Sequence, residues 1–283
     1  MSGALRWGLK AAWFDVARCR QIWVTVGIWL VLSVGFGVGM TYALYRSAAG
    51  DPNADPALVD GLRHTFLLGE FDATAGGLMP FWGAGIALAL GASVVGSQYG
   101  KRTVTLIYAA GPPRVAVLGG QLLALVGVLV VAATGALGVN ALGVTAVSLV
   151  QGWPVTAPPL GATAISWAAG VLTAVAYGLV GAALAVATRS EMRALGLGLV
   201  WLLGVETVLI KVCESLGWDW LGQLTLGGAA SNLAVARGAY PWWPNSLTDQ
   251  VSAAQGAGAA VVLAVWATLA AASALWLIRT RDI

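Results

Sequence analysis

The chain has 283 residues, 59% of them hydrophobic and only 10% charged, with a mean hydropathy of +0.82. Soluble domains carry about 25% charged residues, and no soluble core could bury so many apolar runs of about 20 residues, so a water-soluble protein is excluded. The net charge of +3 points to no nucleic-acid partner; what matters in a membrane chain is where its Lys and Arg sit.

Residues 3–20 carry Leu5, Leu9, Ala12 and Val16 at helical spacing, with Arg6, Lys10, Arg18 and Arg20 on other faces. This predicts an amphipathic helix on the inner membrane surface, its polar side interrupted by Trp7 and Phe14. So many charges, with no small-residue cleavage motif, do not read as a cleavable signal. The first span is 21–45. It holds Gly35 and Gly39 as a GxxxG, and with 38 glycines in the chain ordinary helix packing is the expected role. An outer loop, 47–77, follows with the turn-rich DPNADP and five acids, Asp51, Asp55, Asp60, Glu70 and Asp72. It also holds the one histidine, His64, expected to be a solvated loop residue.

The second span is 78–98, and a basic loop, 99–114, separates it from a third apolar segment, 115–150. Those 36 residues would make about 54 Å of helix, well beyond the ~30 Å hydrocarbon core. Two crossings there would put Arg189 and Arg193 opposite the other basic clusters. One crossing is therefore expected, with its later part protruding or broken near Gly135, Gly138, Asn140 or Gly143. The fourth, fifth and sixth spans are 162–188, 194–212 and 256–278. Between the last two lies an outer loop, 213–255, rich in interfacial tryptophan: Trp218, Trp220, Trp242 and Trp243. Its stretch LGQLTLGGAASNLAVA is expected to form a short helix or hairpin dipping into the outer leaflet.

The fold class is thus an all-α integral membrane protein, one transmembrane domain over 1–283, with six transmembrane helices and both termini cytoplasmic. Eleven of the fifteen basic residues then fall on the inner side. Cys19 and Cys213 lie on opposite sides, so no disulfide between them is expected.

Catalytic motifs are missing: there is no HExxH, no GxSxG and no pair of acids within one span. One histidine and two distant cysteines make no metal site, and no cofactor is expected on this chain. There is no GxxxxGK[ST], so ATP-driven transport would need its ATPase on another polypeptide. Glu206 is the one acid well inside a span, where a charge costs about 2.5–3.5 kcal/mol on insertion scales. It reads either as a residue of the substrate path or gate, or as a polar clasp on a neighbouring helix. Asn140 and Gln121 are weaker cases of the same kind, with interhelical hydrogen bonding the expected role. Lys211 is expected to snorkel to water rather than pair with Glu206.

The loop SQYGKRTVTLIYAAGPPR needs more than the positive-inside rule. Its charges, Lys101, Arg102 and Arg114, would anchor it on the inner side, but an anchor needs no TVTLIYAA and no Gly111-Pro112-Pro113 stop. A short, partly apolar helix of this kind suits docking into a groove on a soluble partner.

On these residues the chain resembles the membrane subunit of an ABC transporter, of the bacterial type-2 export permease family, over most of its length. That family has six spans, both ends inside, and a basic amphipathic helix before the first span. Its first cytoplasmic loop runs acid, aromatic, basic residues and Gly-Thr, then small and apolar residues, then Pro and Arg. Here Gln98, Tyr99, Gly100, Lys101, Arg102 and Thr103 stand in that place, followed by 104–110, Pro113 and Arg114. Val200, Trp201 and Glu206 match a fifth-span pattern of the family. Gln98 replaces the usual acid, Arg102 sits where Gly is common, and Gln121 where many members carry Lys.

The resemblance implies that the loop is a coupling helix gripped by an ATPase, with Gln98, Tyr99, Lys101, Arg102, Thr103, Thr105, Leu106, Tyr108, Pro113 and Arg114 at the contact. It implies a second permease copy or a related permease, two cytoplasmic ATPase subunits that hold the ATP and Mg, and a bacterial plasma membrane. Glu206, Asn140 and Gln121 would border the translocation path of a hydrophobic or amphipathic substrate. The other class of function is a stand-alone ion-coupled transporter or channel that uses Glu206.

Overall fold

The computed structural model describes residues 2–71, 82–100, 113–238 and 251–280. All regular structure among them is helical. The helices are α1 (Ser2–Arg18), α2 (Arg20–Val34), α3 (Thr41–Ala49), α4 (Pro56–His64), α5 (Ala84–Gly100) and α6 (Arg114–Gln151). They continue with α7 (Leu160–Thr188), α8 (Glu191–Val200), α9 (Glu206–Ser215), α10 (Asp219–Gln223), α11 (Leu226–Val235) and α12 (Ala253–Thr280). A π-helical stretch, Gly35–Met40, joins α2 to α3, and a second, Trp201–Val205, joins α8 to α9.

Five continuous helices are long and apolar enough to cross a membrane: Arg20–Ala49, Arg114–Gln151, Leu160–Thr188, Glu191–Ser215 and Ala253–Thr280. The chain is thus built as a multi-pass membrane protein. A sixth apolar helix, α5, has 17 described residues, the lower end of what spans a bilayer. Contacts fix the relative directions. Gly135 and Gly143 of α6 receive Leu30 and Val38, so the first span and α6 run the same way. Gly96 and Leu88 of α5 meet Glu191 and Gly198, so α5 and α8 run oppositely. Gly178 packs on Leu129 and Trp167 Nε1 donates to Thr134 Oγ1, so α6 and α7 are antiparallel.

The centre of the bundle is α5. Ala84, Ala87, Leu88, Leu90, Gly91, Ala92, Val94, Val95 and Gly96 are all buried, so it is apolar and covered all round. It crosses α7 almost backbone on backbone. A Cβ placed on Gly91 would sit 1.8 Å from the Gly178 carbonyl oxygen, and one on Gly181 would sit 2.1 Å from that of Leu88. Small residues at a crossing are how helices gain packing in lipid, where apolar burial alone brings little.

The third span is neither two helices nor a broken one. The α6 helix is continuous for 38 residues, about 57 Å. Gly135 and Gly143, expected as break points, serve as holes for Leu30 and Val38 instead. The surplus length builds a cap at one end of the bundle. Val144 packs with Val38, Phe66 and Phe71, Ser148 Oγ donates to the Phe66 carbonyl at 2.5 Å, and Gln151 Nε2 donates to Tyr42 OH. Trp153 meets Tyr45 edge-on at 5.2 Å. The helix ends on Gly152 in the left-handed region, φ 67°.

Two further expectations change. The apolar face of α1 is covered by protein, not lipid: Gly8, Ala12 and Val16 are buried against the Arg114 end of α6. Gly8 and Gly120 cross so closely that a Cβ on Gly120 would lie 2.3 Å from the Gly8 carbonyl carbon. The residues that seemed to spoil the polar side, Trp7 and Phe14, are exposed together with Trp13. The GxxxG of Gly35 and Gly39 packs no neighbouring helix among the described residues; both face open space on the π stretch.

The α5–α7 crossing is testable by thermal unfolding in detergent. Gly91→Ala is expected to cost at least about 1–3 kcal/mol, since the backbones must part. Gly27→Ala, with nothing within 4 Å, is expected to stay within about 0.5 kcal/mol of wild type.

Candidate functional site

Glu206 is fully buried at the start of α9. The Gly227 N–H donates to its Oε1 at 2.5 Å. Gly227 belongs to the first turn of α11, whose residues Leu226–Ala234 are all buried. That helix stands where a short element dipping into the outer leaflet is expected, and it packs against α12 and α7. Its N-terminus has two fasteners. Thr225 caps it by accepting from Gly228 N at 3.0 Å, and the Glu206 carboxyl takes the Gly227 N–H. The first amides of a helix have no intrahelical partner, and in an apolar surrounding an unmatched N–H is costly. A carboxyl there also meets the positive end of the helix dipole.

Glu206 therefore acts as a clasp in this structure. Its other oxygen, Oε2, has no hydrogen-bond partner among the described residues. Tyr177, wholly buried on α7, lies within electrostatic reach of Glu206, and its hydroxyl is likewise unmatched among the described residues.

The other two residues named with Glu206 do not join it. Gln121 and Asn140 are both buried on α6, 19 positions apart, which is about 28 Å of helix. Asn140 Nδ2 donates to the Ala136 carbonyl of its own helix at 2.8 Å, not to a neighbour, so the expected interhelical bond is not made by that group. Lys211 pairs with Glu214 at 2.8 Å, with about half of each side chain exposed.

A second polar knot sits at the opposite end of the same span. Glu191 opens α8, after Ser190, whose hydroxyl accepts from Arg193 N at 3.4 Å. Ser93 Oγ of α5 donates to Glu191 Oε1 at 2.6 Å, and Gln21 Nε2 of α2 donates to the same oxygen at 2.9 Å. Gly96 lies against the Glu191 backbone, where a Cβ would come within 2.8 Å of its Cα. One carboxylate thus ties the starts of α8 and α2 to the middle of α5. The sequence reading counted this short turn only for Arg189 and Arg193. The signal for Glu191 was available: an acid directly after a capping serine, in a turn otherwise basic.

The described residues that flank the basic loop belong to α5 and α6. Gln98 and Tyr99 form the last turns of α5, half-buried, with Tyr99 packed on the main core. Pro113 caps α6, its carbonyl accepting from Ala116 N at 2.8 Å, and Arg114 is the first residue of that helix. Lys101, Arg102, Thr103, Thr105, Leu106 and Tyr108 lie outside the described residues, as do Trp242 and Trp243.

His64 is half-exposed as expected, but it ends α4 rather than lying in a loop, and it is not free. Its Nδ1 bonds Glu70 at 2.8 Å and its Nε2 lies 3.4 Å from Asp60. The hydrogen bond its ring N–H donates to Glu70, then the charge of Glu70, and then Asp60 raise its pKa above 6.5, against a small desolvation effect. Both cysteines are free. Among the described residues no three His, Cys, Asp or Glu gather as a metal site. No protein-family model matches the chain, and no curated protein matches it either.

Replacing Glu206 by Leu leaves the Gly227 N–H unmatched and is expected to cost about 1–3 kcal/mol, whereas Gln keeps an acceptor oxygen and costs less. Hydrogen exchange at residues 226–228 should speed at least tenfold in the Leu variant. For His64 the raised pKa means the contact contributes below pH 6.5 and is lost as pH rises through the raised value. An NMR titration should show that value, and Glu70→Gln should bring it back down.

Proposed function

We propose that the chain is the membrane-spanning permease subunit of an ATP-driven ABC exporter in a bacterial plasma membrane. It crosses six times, with both ends and the loop 99–114 cytoplasmic. The observation that carries this reading is the seat of α5, which leads directly into the loop. A loop tied to a peripheral helix would move that helix alone. This one is tied to the helix that meets α7 at Gly91 and Gly181, α8 at Leu88 and Gly96, and α2 through the Glu191 knot. A push on the loop would act on α5 and through it on the bundle centre.

Three features support the same reading. The measured helix directions suit alternate crossings in which the basic clusters share one side. The chain has no Walker A motif of its own, so ATP and Mg would be held by separate cytoplasmic subunits. The open faces of the first and fifth spans, including Gly35, Gly39, Gly196 and Gly204, leave room for a second permease copy or a related one. Few polar groups line the spans, which suits a hydrophobic or amphipathic cargo better than a small ion. Coupling then requires that the ATPase grip the loop differently in two states.

The test is co-reconstitution with the ATPase encoded beside the chain. Joint charge reversal at Lys101, Arg102 and Arg114 is expected to weaken the complex and its transport-coupled hydrolysis at least tenfold, about 1.4 kcal/mol. Intact coupling in that variant would falsify the docking role. Ion-dependent flux by the chain alone, abolished by Glu206→Gln, would replace this reading with a stand-alone carrier.

A further inference from the structure

The exposed side of α1 forms one wall of a groove whose floor is α6. Leu9, Lys10, Trp13, Phe14, Ala17 and Leu123 line it; the groove is open along one side and has a volume of about 500 Å³, room for an extended chain laid along it. The groove is shaped by a glycine: the Trp13 ring lies against Gly127, where a Cβ would come within 3.1 Å of it. Every lining side chain is apolar or aromatic except Lys10.

Lys10 has no ion pair among the described residues. The one acid of α1, Asp15, is five residues on and so points about 140° away around the helix. Arg18 is engaged, its guanidinium 3.9 Å from the centre of the Phe14 ring. The groove therefore offers an apolar trough, two aromatic walls and one free cation at its edge. A lysine in this position lays its stem along the trough and its ammonium at headgroup depth. The groove lies at the Arg114 end of α6, the basic end of the molecule.

We propose that this groove binds one anionic phospholipid, its acyl chains along Leu9, Trp13, Phe14 and Leu123 and its phosphate on Lys10. Acyl chains match the apolar lining, and the Lys10 ammonium, which has no ion pair among the described residues, selects a net-negative headgroup over a zwitterionic one. The site needs neither an ATPase nor a cargo, so it stands or falls apart from the transport reading.

The full-length chain, purified in detergent, is titrated with phosphatidylglycerol or phosphatidylcholine, and retained lipid is counted by native mass spectrometry. Wild type is expected to prefer phosphatidylglycerol by roughly fivefold, the scale of one basic residue at an anionic surface. Lys10→Gln, an exposed change that leaves packing intact, is expected to erase that preference, and Lys10→Arg to restore it. Leu123→Trp, which fills the floor, is expected to lower retention of both lipids. Three results overturn the proposal. One is an unchanged preference in Lys10→Gln. Another is an equal loss in Arg193→Glu, which would mean diffuse surface charge. The third is a change in chain stoichiometry, without lipid loss, in Leu123→Trp, which would make the groove a protein interface.

Discussion

How closely helix backbones can approach decides this fold. Within a bilayer an apolar side chain gains little by turning from lipid to protein, so association rests on close van der Waals contact and on polar fasteners. The chain meets the first need with glycine at the crossings that matter: Gly91, Gly178 and Gly181 between α5 and α7, Gly198 beside Leu88, and Gly8 and Gly120 between α1 and α6. Everything else hangs from the first of these. Once α5 is sunk against α7, its far side is close enough to α8 for Gly96 to touch the Glu191 backbone. That contact in turn brings Ser93 and Gln21 onto the Glu191 carboxylate.

Polar fasteners are then few and placed at ends. Glu191 and Glu206 sit on the same span, one opening α8 and the other opening α9, with the π stretch Trp201–Val205 before the second. Glu206 takes a helix N-terminal N–H that would otherwise be unmatched in an apolar setting, while Glu191, only partly buried, gathers a hydroxyl and an amide. A carboxyl is a costly group to bury, and here it works by replacing several missing partners at once.

Much of this was legible in the sequence, because hydropathy and helix length report directly on lipid. Five long apolar helices, the α11 insertion after Trp220, and the half-exposed His64 all stand where composition put them. What the sequence could not show is which glycines are holes and which are open. Gly135 and Gly143 look like break points but receive Leu30 and Val38, whereas Gly35 and Gly39 look like a packing motif and touch no other helix among the described residues. The difference lies in the partner's side chain, which no single-helix pattern carries. Likewise α1 has two apolar stripes, and the regular one of Ala12 and Val16 goes to α6, leaving Trp7, Trp13 and Phe14 outside. Amphipathicity predicts that one face is buried but not what buries it.

The same asymmetry explains why span five is fastened at Glu191, its start, and at Glu206, partway along, and largely bare between them. From Leu197 to Val208 the exposed positions Leu197, Leu199, Val200, Trp201, Leu203, Val205 and Val208 present a continuous apolar face. Only Leu202, Gly198 and Glu206 point inward over that length. The π stretch Trp201–Val205 falls between the two carboxylates, where most positions are exposed. The bundle thus combines a central helix covered all round with a span whose middle is mostly uncovered, and the two meet at Gly96 and Glu191.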